Sequence, residues 1–291
     1  MESVDAVVSS FAAHGYVADR GLAVTTHLAL GLGRPLFLEG EAGVGKTEVA
    51  KTLSAILGAE LIRLQCYEGL DASQALYEWD YARQMLSIRM IEARGEGSGA
   101  DVSDIMSREY LRPRPLLRAI EAAAIGAQPV LLIDELDRAD EEFEAFLLEL
   151  LSDFQVTLPE IGTIKAEVPP VVVITSNRTR EIHDALKRRC LYHWLDYPSV
   201  DREIEILRAR MPEVDDVLAR QLALAMADLR SLDLFKPPGV AETLDWAAAL
   251  KLLNAEKLEP RVIDETLGAV LKYRDDIDRV RDHGVESLIH K

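Results

Sequence analysis

The most constraining feature of this sequence is a glycine-rich octapeptide between a short apolar run and a helix-forming segment. Leu36–Glu39 is strand-like, and helix signals run from Lys46 to about Leu57. The octapeptide matches GxxxxGK[ST] in full. Its residues are Gly40, Glu41, Ala42, Gly43, Val44, Gly45, Lys46 and Thr47. Glycines let backbone amides point at phosphate, and the following helix adds the positive end of its dipole. The sequence therefore predicts a phosphate-binding loop.

The last residues of this loop predict its ligands. Lys46 is expected to reach the β- and γ-phosphates of ATP, and the Thr47 hydroxyl is expected to coordinate Mg²⁺. Glu48, the next residue, belongs to the same predicted nucleotide-contacting stretch. ATP and Mg²⁺ are therefore the predicted ligands of the chain.

Two carboxylates follow an entirely apolar run further along the chain. Val130–Ile133 has the composition of a strand buried on both faces, and Asp134 and Glu135 come directly after it. Asp134 is predicted to hold Mg²⁺, directly or through water. Glu135 is predicted to polarise the attacking water, either as a general base or as an orienting group. The pair indicates hydrolysis of ATP, and the competing interpretation is a solvated helix cap.

An asparagine and two arginines extend the predicted catalytic set. Asn177 follows the strand-like run Val171–Ile174, where its amide could hold the attacking water or touch the γ-phosphate. The competing interpretation is an ordinary turn asparagine. Arg188 and Arg189 close the next helical segment. They are either cations at a helix C-terminus or a source of an arginine finger for a neighbouring subunit's ATP site, and both residues remain candidates.

The order of the segments predicts an α/β fold with two domains. Strand-like runs alternate with helical segments up to about Tyr197, which is typical of a parallel sheet sandwiched by helices. After Pro198 only helical patterns remain. Residues 1–197 are therefore predicted to form the nucleotide-binding core and residues 198–291 a small all-α lid domain. The helices predicted in the lid are Val200–Arg210, Val214–Ala227, Val240–Leu253 and Pro260–Arg274.

Composition narrows the class of partner that the protein is expected to bind and the cellular compartment in which it is expected. The chain has 291 residues and a formal net charge of −17, which argues against a broad nucleic-acid-binding surface. Cys66 and Cys190 are far apart in the sequence and form no metal-binding pattern, as expected of reduced thiols. The N-terminus lacks signal-peptide features, and no apolar run is long enough to cross a bilayer. A cytoplasmic protein without stable membrane insertion is expected.

These motifs in this order resemble the AAA+ superfamily of P-loop ATPases over nearly the whole chain. Within that superfamily the sequence resembles the MoxR family. The stretch 15–29, which contains Tyr16 and Val17, is similar to the segment with which that family contacts the nucleotide base. Leu148–Leu151 followed by Val156–Leu158 is similar to the family's helix and hairpin after the acidic strand. Leu61–Asp71 resembles a narrower branch, the CoxD branch, which matures carbon monoxide dehydrogenase.

The resemblance implies a homo-oligomer, most often a hexameric ring, whose ATP sites are shared between subunits. It implies a chaperone-like role in maturing protein partners, including metalloenzymes, and a partner with a von Willebrand A domain. It also implies two insertions. One would lie within Tyr77–Ala100 and project Trp79, Tyr81 and Met85, and the other would be a hairpin over Val156–Val168 with Gly162 at its tip.

The lid segment departs from the family in one respect. The family's lid often carries an arginine at the start of its third helix, where it contacts the γ-phosphate. The corresponding segment, Lys236–Leu244, contains no arginine, and Lys236 is the nearest cation.

Two other functions compete with a remodelling ATPase. A DNA-acting AAA+ motor or clamp loader would share the motifs, but the charge of −17 argues against it. A scaffold that binds ATP without turnover would not need Glu135 and Asn177.

Overall fold

The computed structural model describes residues 2–93, 106–158 and 161–290, which divide into two compact units. The first, here called the loop unit, comprises Met1–His27, Glu39–Thr52 and His193–Lys291. The second, here called the sheet unit, comprises Leu28–Leu38 and Leu53–Tyr192. The predicted division into domains 1–197 and 198–291 stays a prediction.

Five strands form the main sheet, in the order β2-β5-β8-β1-β9, and two further pairs form small antiparallel sheets. The strands are β1 (Leu36–Gly40), β2 (Leu61–Gln65), β3 (Tyr77–Trp79), β4 (Leu111–Pro113), β5 (Val130–Asp134), β6 (Gln155–Leu158), β7 (Gly162–Lys165), β8 (Val171–Ser176) and β9 (Leu191–Leu195). β5 pairs in parallel with β2 on one side and β8 on the other. The predicted α/β fold class with a parallel sheet and a C-terminal helical region is confirmed.

The helices in the N-terminal part and around the sheet are α1 (Val4–Ala13), α2 (Arg20–Leu32), α3 (Lys46–Leu57), α4 (Ala72–Leu76), α5 (Tyr81–Ala93), α6 (Pro115–Ala124), α7 (Glu141–Asp153) and α8 (Asp184–Lys187). Those of the C-terminal region are α9 (Val200–Arg210), α10 (Asp216–Ser231), α11 (Val240–Leu252), α12 (Pro260–Val270) and α13 (Arg274–His283). In the part of the chain that the structure describes, no helix is both long and apolar enough to span a membrane.

The sheet unit is built around β5, whose five residues are all buried. An uninterrupted apolar run suits a strand that is covered on both faces. α6 and α7 pack on the same apolar core as β5 and β8. Pro115 opens α6 where its missing N–H costs nothing, and the Asp140 carboxylate caps α7 by accepting from the Phe143 N–H at 2.9 Å. This arrangement presents the residues after β5 and β8 at the same sheet edge.

The helical part of the loop unit has its own apolar core. Trp246, Leu222 and Leu267 are fully buried in it, on three different helices. Ser199 and Asp215 cap α9 and α10 by accepting bonds from backbone N–H groups of the first turn, which explains where these helices begin.

The structure corrects several sequence-based boundaries. The sequence does not predict β9, because polar His193 interrupts its run of apolar residues and only Leu195 is buried. The single helix predicted over Pro260–Arg274 ends at Val270, and α13 begins at Arg274. The predicted helix Val214–Ala227 runs instead from Asp216 to Ser231.

The two predicted insertions are present in part. α5 exposes Tyr81 and Met85 as expected, whereas Trp79 packs on the core of the sheet unit. Residues 94–100 of that insertion lie outside the described residues. β6 and β7 form the predicted hairpin, but Gly162 is not at its tip, since it opens β7 opposite Leu158.

Candidate functional site

The phosphate-binding loop lies in the loop unit, between the end of β1 and the start of α3. Gly43 and Gly45 have φ values of +76° and +98°, which side chains with a Cβ rarely adopt. Lys46 is buried, and its Nζ donates to the carbonyls of Gly40 and Glu41, each at 2.7 Å. A buried ammonium beside a curled glycine backbone is the arrangement that suits a polyphosphate. The loop residues therefore fit ATP as a ligand.

Tyr16 and Val17, the predicted base-contacting residues, lie in the same unit as the loop. Tyr16 is buried against Phe11, and its ring lies 3.7 Å from the position that a Cβ on Gly45 would take. Burial raises the pKa of the Tyr16 hydroxyl well above its ordinary value, so it is a neutral group at physiological pH. The Val17 carbonyl accepts from Arg202 Nη2 at 2.9 Å. Tyr16 thus lies beside the loop, and the contact of both residues with a base stays a prediction.

Glu48 links the start of α3 to α9. It accepts from Arg210 Nη1 at 2.9 Å and from Lys51 Nζ at 3.2 Å. Burial by itself raises the pKa of Glu48, but the bonds from Arg210 and Lys51 outweigh it and lower the pKa. Glu48 is therefore ionised, and its ion pair with Arg210 joins α3 to α9. Its contact with nucleotide stays a prediction.

The acidic pair lies in the sheet unit at the end of β5. Asp134 is buried, and its Oδ1 accepts from the Thr175 hydroxyl of β8 at 2.6 Å. Thr175 Oγ1 in turn accepts from the Glu135 N–H at 2.9 Å. Glu135 has a left-handed backbone (φ 55°, ψ 51°), which costs a residue with a Cβ about 1–2 kcal/mol. Such local strain clusters at functional sites.

Two residues of β2 hold this acidic pair, and sequence reasoning did not assign them a role. Arg63 donates two hydrogen bonds to Asp134, and Gln65 Nε2 donates to Glu135 Oε2 at 3.0 Å. Arg63 also donates to the Gln65 side chain. The sequence did contain a signal for this role. Arg63 and Gln65 stand at alternate positions of an otherwise apolar strand, so both side chains project from the same face of β2.

Asn177 follows β8 at the same sheet edge as Glu135. Its backbone N–H donates to Asp137 Oδ1 at 3.1 Å, and the N–H and hydroxyl of Thr179 both donate to Asp137 Oδ2. Asp137 therefore fixes the loop that carries Asn177. After Arg63 and Gln65, it is a third positioning residue that the sequence did not single out.

The two arginines after α8 differ in their surroundings. Both are exposed. Arg189 Nη1 donates to the Leu148 carbonyl of α7 at 3.0 Å. The Arg188 side chain makes no hydrogen bond or ion pair with any described residue. Arg34 donates to the backbone carbonyls of both Arg188 and Arg189.

Among residues 2–93, 106–158 and 161–290, no cluster of three or more metal-ligating His, Cys, Asp or Glu side chains occurs.

Known proteins resemble this chain in sequence and in fold. An uncharacterized protein of Staphylococcus haemolyticus is 26% identical over 208 residues, which cover 69% of this chain and 70% of that protein. A mutant of Thermotoga maritima RuvB shares the fold at 16% identity and a TM-score of 0.50, over 95% of this chain and 73% of that one. A second structure, the Thermotoga maritima RuvB Holliday junction branch migration motor, has a TM-score of 0.47 at 15% identity. The alignment covers 91% of this chain and 66% of that RuvB chain.

The family assignment rests on the central part of the chain. Residues 35–190 match the family described as AAA domain (dynein-related subfamily). This span is more than half of the 291 residues and contains the phosphate-binding loop, the acidic pair, Asn177 and both arginines. The chain therefore belongs to the AAA+ ATPases, within the dynein-related AAA domain family.

Proposed function

We propose that this protein hydrolyses ATP to ADP and phosphate in the presence of Mg²⁺. The observation that carries the proposal is the pair Asp134 and Glu135 at the end of the buried strand β5. Their carboxylates are fixed by Thr175, Arg63 and Gln65. Such pre-fixed polar groups stabilise a transition state without reorganising during the reaction.

Each residue of the site has a proposed role. Lys46 neutralises phosphate charge from within the loop, as its buried ammonium allows. Thr47 and Asp134 are the predicted ligands of Mg²⁺, which would neutralise charge on the phosphates. Glu135 orients and polarises the attacking water, and Asn177 assists from the loop that Asp137 fixes.

The decisive experiment compares wild type with Glu135→Gln. The variant should bind ATP as tightly as wild type but lose at least a hundredfold in kcat, so that it retains ATP after gel filtration while wild type retains ADP. The matched control is Glu141→Gln, an exposed carboxylate in the first turn of α7, which should behave as wild type. Undiminished turnover in Glu135→Gln would show that Glu135 is not the group that activates water.

We further propose, from the MoxR resemblance, that the ATPase is a chaperone-like remodeller or maturation factor. It would assemble into a homo-oligomeric ring of its own chain, most often a hexamer. Its other partners would be a von Willebrand A domain protein and a metalloenzyme. The exposed Arg188 supports the idea of a site completed by a neighbouring subunit, because a finger must be free to leave its own chain.

The test of this role uses the hydrolysis-defective variant as bait. Glu135→Gln should retain a von Willebrand A domain partner with ATP and release it without ATP, whereas Lys46→Ala should retain it in neither condition. Equal retention by both variants would contradict an ATP-dependent action on that partner. Saturable, salt-sensitive DNA binding at physiological ionic strength would instead support the alternative, a DNA-acting AAA+ motor.

A further inference from the structure

Asp134, the predicted ligand of Mg²⁺, is already paired with a cation of its own chain. Arg63 donates two hydrogen bonds to Asp134 Oδ2, at 2.9 and 2.6 Å, and both residues belong to the sheet unit. Asp134 is buried, so solvent screens this pair far less than a pair at the surface. The negative charge of the carboxylate is thus compensated before any metal binds.

The carboxylate nevertheless suits Mg²⁺ in its chemistry. Mg²⁺ takes oxygen ligands, and proteins usually hold it with one or two carboxylates together with water and substrate phosphates. The second oxygen of Asp134, Oδ1, accepts from the hydroxyl of Thr175 at 2.6 Å, which is a neutral donor. Asp134 therefore fits the metal, and Arg63 is the positive charge beside it.

The compensating charge of Arg63 is permanent. An arginine stays protonated at every physiological pH, so the compensation of Asp134 does not depend on a proton. Arg63 also donates from Nη2 to the side chain of Gln65, which holds the guanidinium beside the carboxylate. β2 is an edge strand, and half of the Arg63 side chain is exposed. A neutral side chain can therefore replace it without opening the core of the unit.

We propose that Arg63 makes the binding of Mg²⁺ at Asp134 depend on nucleotide, by cancelling the charge with which this carboxylate would attract the metal alone. Asp134 attracts Mg²⁺ less than an uncompensated carboxylate would, because two cations beside one buried carboxylate repel each other. The negative charge that the metal needs must then arrive with the phosphates of ATP. The inference rests on the proposed binding of ATP and Mg²⁺.

The test measures how much Mg²⁺ tightens nucleotide binding, as the ratio of Kd in EDTA to Kd in excess Mg²⁺. The probe is methylanthraniloyl-AMP-PNP, a fluorescent ATP analogue that is not hydrolysed. Arg63→Gln should raise this ratio at least threefold, because the amide can donate a hydrogen bond to Asp134 without adding charge. A residue that only holds Asp134 in place predicts the opposite, a fall in the ratio. Arg63→Lys keeps the charge and should stay within twofold of wild type.

Arg118→Gln is the matched control for the loss of one positive charge. Arg118 is half-exposed like Arg63, but its partner Glu60 is exposed as well and precedes β2, at the opposite end of the strand from the pairing with Asp134. The ratio for this variant should stay within twofold of wild type. An equal rise in both variants would assign the effect to the charge of the whole unit and would refute a role of the Arg63–Asp134 pair.

A second comparison decides the matter even if Arg63→Gln alone fails to fold. Asp134→Asn leaves the charge of Arg63 uncompensated and should lower the ratio at least threefold. The double variant Arg63→Gln/Asp134→Asn has neither charge of the pair, so it should recover at least threefold of that loss. Such a recovery measures the coupling between the two residues, which a purely structural role of Arg63 does not produce.

The outcomes separate this inference from the proposed function. A ratio that is unchanged or lower in folded Arg63→Gln refutes the inference, and so does a double variant that is no better than Asp134→Asn. The ATPase proposal stands in both cases. If wild type does not bind the analogue, or binds it equally well in EDTA and in Mg²⁺, the inference and the proposed binding of ATP with Mg²⁺ are refuted together.

Discussion

Arg63 donates two hydrogen bonds to a single carboxylate oxygen of Asp134, from Nε at 2.9 Å and from Nη2 at 2.6 Å. The arginine is half-exposed, with 51% of its side chain accessible, whereas the aspartate is 3% accessible. A buried carboxylate that loses its charged donor retains the cost of its desolvation. Loss of the pair should therefore cost stability mainly because Asp134 would stay buried without its charged donor, and less because Arg63 itself is removed.

Substitution of Arg63 by alanine should lower the free energy of unfolding by about 1–3 kcal/mol in the absence of nucleotide. Urea unfolding followed by circular dichroism measures it. The control is Arg83→Ala, whose pair with Glu109 is exposed on both sides and should change stability by less than about 1 kcal/mol. Equal effects of the two substitutions would show that the hydrogen bonds from Arg63 to Asp134 contribute no more to stability than an exposed ion pair does.

Arg188 is the better candidate for the finger, because Arg189 is already bonded to Leu148. Arg188→Ala should lower kcat at least a hundredfold, while stability stays within about 0.5 kcal/mol of wild type, as for other exposed side chains.

Mixing two inactive variants tests whether Arg188 acts on a neighbouring subunit. Arg188→Ala and Glu135→Gln subunits, combined and allowed to assemble, should recover part of the activity, since some interfaces then contain an intact Glu135 and an intact Arg188. No recovery in assemblies shown to be mixed would contradict action between subunits.

Stability should depend on pH through Asp19. The His193 imidazole, whose Nε2 lies 3.7 Å from Asp19 Oδ1, and the hydrogen bonds from the Leu22 N–H and Arg202 hold the pKa of Asp19 well below its ordinary value, against the effect of burial. A carboxylate with a lowered folded-state pKa stabilises the fold above its unfolded pKa of about 4, and this stabilisation is lost as the pH falls.

Asp19→Asn should therefore cost about 1 kcal/mol at pH 7 and progressively less below about pH 4. Thermal unfolding of both proteins between pH 7 and pH 2.5 measures the difference. Asp5→Asn is the control, because its pair with Arg20 is exposed and should show little change at either end. A constant difference across this range would exclude Asp19 as the titrating group.

Both thiols should be unreactive in the folded protein. Burial raises the pKa of Cys66 to about 12, and the carboxylate of Asp134 acts in the same direction. Burial likewise raises the pKa of Cys190 to about 12. Alkylation by iodoacetamide at pH 8 should be on the order of a thousandfold slower than for a free thiol, and both cysteines should react once guanidinium is added. Rapid modification of the native protein, located by mass spectrometry, would contradict this burial.

The sequence by itself determined the local parts of the nucleotide site. The start of α3 at Lys46, the buried strand that ends at Asp134 and the strand before Asn177 depend on residues close together in the chain. Glycine spacing and uninterrupted apolar runs encode them directly. The parallel sheet also followed from the alternation of strands and helices.

Only the tertiary structure decided which distant residues meet. The bonds from Arg63 to Asp134 and from Arg189 to Leu148 join residues far apart in sequence. The contact of Gly239 with Gly43 does the same. No local pattern encodes them, because they depend on strand order and on how closely two backbones approach. For the same reason the sequence left Arg188 and Arg189 equivalent, whereas the structure bonds Arg189 to Leu148 of α7 and gives the Arg188 side chain no hydrogen bond or ion pair with a described residue.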